Sequence, residues 1–285
     1  MTPQEHADAE LEKLRDYEKL MEQDTANVVN DSREKSSMPV DYVRVKLGKK
    51  PARNDPRTLK LGRYFTPELA PPPPTVNHSR GISDWGMMLN DNLGCCTIAA
   101  VGHAYQVQVL SQIDPNKPVG VIKPSDDIIL RYYEQWDGYD PSDPSTDQGG
   151  EETDVLNKWR KNGFAGRQLL GYADPAPTNH AHVKQAIYLF GGVYIGIQLP
   201  TGWQNAGIWD ANMGDPGSWG GHAVYVCDYD DQGVTCITWG MLQKITWDGW
   251  DEYCDENHAL VTPEWNPPVG FAIDSLLADL AAVTG

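Results

Sequence analysis

Asn90-Asp91-Asn92-Leu93-Gly94-Cys95-Cys96-Thr97 is the stretch on which the reading of this chain turns. Behind it, Ile98, Val101, Tyr105 and Val109 recur at helical spacing as far as about Gln112. That spacing predicts a helix opening at Cys96 and packing one face on a core. A thiol at a helix start feels the positive end of the macrodipole, which favours thiolate over thiol. Asn90, six residues before Cys96, could offer an amide N–H to an oxyanion developing at the same spot. Far downstream, Gly220-Gly221-His222-Ala223-Val224-Tyr225-Val226 sets an imidazole at the head of an apolar strand, where it could share the thiol proton. The same residues also suit a buried structural cysteine, a loop asparagine and a strand histidine. Spacing alone does not separate the two readings.

More landmarks follow in order: Pro73-Pro74-Thr75-Val76, Trp85, Gln148-Gly149-Gly150 ahead of a helix predicted from about Thr153 to Asn162, Gly192-Val193-Tyr194-Ile195-Gly196-Ile197, and Thr238-Trp239-Gly240. With the Asn90–Cys96 interval and His222-Ala223-Val224, they resemble the papain-like cysteine peptidases. The resemblance is collinear from about Pro72 to about Tyr253, in a divergent form of bacterial or bacteriophage type. It implies an α+β fold with a helical half containing Cys96, an antiparallel β-rich half containing His222, and a cleft between them. It also implies Cys96 as nucleophile and His222 as base and then acid. Asn90, where the family has Gln, would form the oxyanion hole with the Cys96 backbone N–H. Gly149 and Gly150 would hold the backbone of a peptide or protein substrate. Trp239 would sit on the substrate side of the site, with covering His222 as its simplest role. No cofactor and no metal are implied.

Two departures from the family pattern bear on activity. Where the family has the Asn that orients the imidazole, two residues before the Trp, this chain has Ile237, which cannot accept a hydrogen bond. Losing an orienting triad member costs roughly 10⁴-fold in other proteases, although a thiolate–imidazolium pair partly orients itself. The family's disulfide beside the active site would need Cys at Leu93 and Asp147, and both are absent. Two functions from different classes therefore stand. One is a thiol-dependent hydrolase, peptidase or amidase, using a Cys–His pair. The other is the same scaffold kept, weak or inactive, as a structural or assembly protein of the kind a phage particle carries.

The 285 residues, 40% of them hydrophobic and including ten Trp and thirteen Tyr, can build a sizeable core. Charge is unevenly spread over the net −17. Residues 44–63 carry eight bases against one acid, Asp55, whereas residues 64–285 carry 28 acids and ten bases. The expected division is a polar extension over 1–63 (a short helix, then a basic arm), a Pro-rich spacer over 64–74, and a papain-like domain over 75–285. The basic arm would lie across its own acidic domain or bind a separate acidic partner. The extension reads as an arm anchoring the domain to an assembly partner in preference to an inhibitory prosegment. Without aromatic interleaving in the arm, and with an acidic body, nucleic acid is not expected as a partner. Five cysteines without a paired framework, and no apolar leader or membrane span, point to a cytoplasmic location, or a virion if phage-encoded.

The acids Asp137, Asp140, Asp143, Asp147, Glu151, Glu152 and Asp154 do not match a calcium loop and read as solvated turns. His258, also ahead of an apolar run, is the one rival to His222; the glycine pair before His222 favours the latter. Trp247, Trp250 and Tyr253 are expected in an aromatic core, and Ile273 to Leu280 as a closing helix.

Overall fold

The computed structural model describes residues 45–53, 55–111, 123–263 and 269–284. The helix expected within the first 35 residues lies outside them. Three helices build one half: α1 (Cys96–Ser111), α2 (Asp126–Asp137) and α3 (Glu152–Asn162). Ser125 caps α2 by accepting from the Ile128 N–H, and Gly138 ends it in the left-handed conformation. The sequence predicted one packed face for α1. Instead, every residue from Cys96 to Gln108 is buried, so the alanines between the periodic positions are core as well. α1 is a central helix enclosed on all sides.

The sheet has eight strands: β1 (Val76–Asn77), β2 (Gly171–Ala173), β3 (Val193–Leu199), β4 (Ile208–Trp209), β5 (Gly220–Tyr229), β6 (Gly233–Thr238), β7 (Met241–Thr246) and β8 (Cys254–Val261). Its order is β2-β8-β3-β5-β6-β7-β4, with β1 also paired to β5. Only β4–β7 is parallel. The period-2 alternation of β5 divides the interior. Ala223, Tyr225 and Cys227 join the core built around α1, α2 and α3. Val224 and Val226 join a second core with α4 (His180–Phe190), α5 (Trp247–Tyr253) and the closing helix α6 (Ile273–Thr284). Trp247, Trp250 and Tyr253 are buried as expected, but on a helix.

The division expected at residue 63 is not a packing boundary. Leu59, Leu61 and Tyr64 belong to the second core. Leu61 N–H donates to the Asp174 carbonyl and Asp174 N–H to that of Leu59, at 2.8 Å each. The basic arm does lie on its own acids: Arg53 on Glu151 and Asp154, Lys60 on Asp174, and Lys49 on Asp255 and Glu256. Among the described residues no helix is long and apolar enough to cross a membrane.

Candidate active site

Cys96 is the first residue of α1 and is fully enclosed. Burial pushes its thiol up to about 11, even though backbone hydrogen bonds from Ala223 and Gly48 pull the other way. Removal from water outweighs the helix-start effect on which the thiolate expectation rested. Ala223 directly follows His222, so the thiol lies against the strand that carries the imidazole.

His222 is also buried, and desolvation together with the nearby His103 lowers it to about 3. Its Nε2 lies 2.8 Å from Thr238 Oγ1, while Nδ1 has no hydrogen-bond partner. The ring stacks on Trp239, with centroids 4.4 Å apart and planes 15° from parallel. Trp239 is itself buried, so in this state it covers the imidazole. Ile237 stands where the family pattern has the Asn that orients the imidazole. Ile237 is buried in the α1-side core, and the next residue supplies the partner. The hydroxyl of Thr238 was legible only as the residue before Trp239-Gly240. A position-for-position comparison pointed one residue too early, and along a strand one residue changes which face a side chain takes.

His258 is not a second base. It is held between Asp174, 2.6 Å from Nδ1, and the carboxylates of Glu152 and Glu256 near Nε2. These acids raise it to about 10 despite full burial, so it remains an imidazolium at neutral pH.

The largest difference from the sequence reading is what crosses this site. Residues 45–50, a strap from the basic arm, run along the seam between the two halves. Lys46 N–H donates to the Asn90 carbonyl (3.1 Å), and Asn90 Nδ2 returns a bond to the Lys46 carbonyl (3.2 Å). Gly150 N–H donates to the Gly48 carbonyl and Lys50 N–H to the Gly150 carbonyl, both at 2.9 Å. On the β side, Lys49 N–H donates to the Gly221 carbonyl at 3.2 Å. Gly48 is pressed so closely on the loop before Cys96 that a Cβ there would lie 1.7 Å from the Gly94 oxygen. A Cβ on Gly149 would lie 1.7 Å from the Gly48 oxygen. At Gly48 and Gly149 backbone meets backbone so closely that only a residue without a side chain is allowed. Asn90 and Gly150 are thus hydrogen-bonded to the chain's own strap, and Gly149 packs against its Gly48. An arm running away from the cleft is not what residues 45–50 form.

Several loop acids expected to be solvated are structural. Asp147 accepts from Gly94 N–H (2.9 Å) and the Tyr133 hydroxyl (2.7 Å), tying together the two loops that a disulfide would join in the family pattern. Asp137, pushed up to about 6 by burial, accepts from Thr97 Oγ1 in the first turn of α1. Asp140 and Asp143 do form serial turns with Ser142 and Ser145. All five cysteines are free. Potential metal ligands on Glu152, Glu256 and His258 lie within 4.8 Å of one another, and two cations already answer the acids there: the His258 imidazolium and the Lys49 ammonium, 2.8 Å from Glu256.

No protein-family model matches the chain, and no curated protein sequence does. Among solved structures, it is similar to xylellain, a cysteine protease from Xylella fastidiosa. That match has a TM-score of 0.56 at 15% identity over 80% of this chain and 99% of the other. The fold is papain-like. A second similar structure is digestive procathepsin L 3 of Tenebrio molitor larval midgut, with a TM-score of 0.50 at 13% identity, covering 86% of this chain and 89% of that one. At such identities the likeness carries the architecture, and the chemistry has to be argued from the residues in the seam.

Proposed function

We propose that the chain is a thiol-dependent hydrolase of peptide or related amide bonds, held in a latent state by its own strap. Cys96 is the nucleophile and His222 the base that takes its proton and returns it to the leaving amine. Asn90 Nδ2 and the Cys96 backbone N–H form the oxyanion hole, with Gly149 and Gly150 gripping the substrate backbone. The observation that carries this reading is the peptide already seated: its carbonyls accept from Asn90 and Gly150, and its Gly48 lies on the thiol. Burial keeps both groups neutral, the thiol high beneath Gly48 and the imidazole low beneath Trp239. Lifting the strap readmits water, which moves the two values towards each other and makes proton transfer accessible. Thr238 fixes the imidazole on Nε2 and leaves Nδ1 for the thiol.

The second reading, an assembly scaffold without turnover, is favoured by that same Thr238, since a hydroxyl stabilises an imidazolium less than an amide or carboxylate oxygen does. Labelling the full chain with an electrophilic thiol probe, before and after limited proteolysis of the strap, separates the two. Hydrolase chemistry predicts modification at Cys96 that accelerates after cleavage and slows in His222→Ala. A folded, cleaved protein whose Cys96 reacts no faster than an ordinary thiol would leave only the scaffold.

A further inference from the structure

We propose that the acid-lined slot holding Lys49 is the specificity pocket of this site, selecting a substrate with a lysine side chain next to the residue that lies over the thiol. This rests on the hydrolase reading for its role, while the pocket's preference for a cation is argued independently. Of the three lysines in the strap, Lys46 is exposed, Lys50 is half-buried and only Lys49 is turned inward, with its side chain fully enclosed. Its ammonium lies 2.8 Å from Glu256 and 3.0 Å from Asp255. Glu152, at the start of α3, is completely buried, and neither of its carboxylate oxygens has a hydrogen-bond partner. Asp255 and Glu256 converge on one enclosed ammonium with Glu152 beside them, and when that ammonium departs they lose their closest cation, keeping only the more distant His258.

The slot exists because Gly196 lacks a side chain. A Cβ there would stand 1.9 Å from Lys49 Cε, 2.7 Å from an Asp255 oxygen and 2.8 Å from a Glu152 oxygen. Gly196 sits inside β3, where glycine weakens a strand and usually marks the close approach of another group. Its neighbour across β5 is Ala223, whose backbone reaches the Cys96 thiol. The slot is therefore one strand from the candidate nucleophile, and β8 supplies the remaining acids. An apolar or acidic substrate side chain would leave Glu256, Glu152 and the exposed Asp255 with the His258 imidazolium as their nearest cation and no ammonium in the slot. A lysine replaces what the strap withdraws.

The test uses the full chain carrying Lys49→Ala, which removes the intramolecular occupant. A labelled peptide copying residues 45–51 is titrated by fluorescence anisotropy against a copy with norleucine in place of the lysine corresponding to Lys49. The lysine peptide should bind at least about tenfold more tightly, in keeping with hydrogen bonds to charged groups, and Glu256→Gln in the same background should erase the difference. Equal binding of the two peptides, or no binding of either, overturns the pocket. Peptidyl thiol probes with the same lysine or norleucine are applied in parallel. Lysine-selective binding without labelling keeps the pocket and sinks the thiol chemistry; labelling without lysine preference does the reverse. If Lys49→Ala does not fold, Glu256→Gln alone, with Lys49 in place, should loosen the strap and speed labelling of Cys96; an unchanged rate overturns the proposal.

Discussion

Adding a single methyl group at Gly48 tests the latency mechanism most directly. In Gly48→Ala the new Cβ would stand 1.7 Å from the Gly94 oxygen, 2.5 Å from its carbonyl carbon and 2.8 Å from its Cα, all backbone atoms. Ordinary contact lies near 3.5 Å, so the strap must withdraw by about 1.5 Å or more. That displacement breaks the two 2.9 Å bonds with Gly150. At about 1 kcal/mol each, their loss is worth about 2 kcal/mol, or roughly a thirtyfold larger open fraction at 1.4 kcal/mol per tenfold. When opening and closing are fast, a reagent that reaches Cys96 only in the open form reads that fraction directly. The assay is the rate of alkylation at Cys96 by a small electrophile, followed by mass spectrometry, with Cys96→Ser to identify the site and a thermal melt to confirm folding. An unchanged or slower rate in a folded Gly48→Ala protein would refute the view that the strap controls access.

Three further outcomes are expected. Thr238→Val should leave both imidazole nitrogens of His222 buried without partners, lowering stability by about 1–3 kcal/mol in denaturant melts; Thr238→Ser should restore both stability and Cys96 reactivity. Ile237→Asn should not activate the site, because it buries an amide in the α1-side core; loss of about 1–3 kcal/mol without faster labelling is expected, and a gain in hydrolysis would overturn the assignment of Thr238. His258, raised to about 10 in the folded chain, contributes stability that is fully present below its unfolded value near 6.5 and lost as pH rises through about 10. Melts at pH 6, 8 and 10 should therefore show a fall in the natural protein that is absent from His258→Gln.

The elements legible in the sequence were those announced by side-chain chemistry. α1 from Cys96, α3 and the strand carrying His222 stand where apolar spacing and flanking glycines place them. The strap could not be read the same way. Its hold on Asn90, Gly150 and Gly221 is backbone to backbone, which leaves no pattern in side chains, and its lysines read as a solvated arm. The burial of Lys49 depends on acids supplied by α3 and β8, more than a hundred residues away. The Thr238 contact depends on strand geometry that a one-dimensional match does not contain. Local charge also misled at Asp147 and Glu152, which look like members of an exposed acidic run and are instead tied into the interior.

The Asp147 tie has a consequence for handling the protein. A carboxylate bridging Gly94 N–H and the Tyr133 hydroxyl holds the loop ahead of Cys96, and all five sulfurs are free. The architecture therefore contains no bond that a reductant can break. A thiol nucleophile needs reducing surroundings to avoid oxidation, and here those surroundings and the integrity of the scaffold never conflict. High dithiothreitol should protect Cys96 without moving the melting temperature.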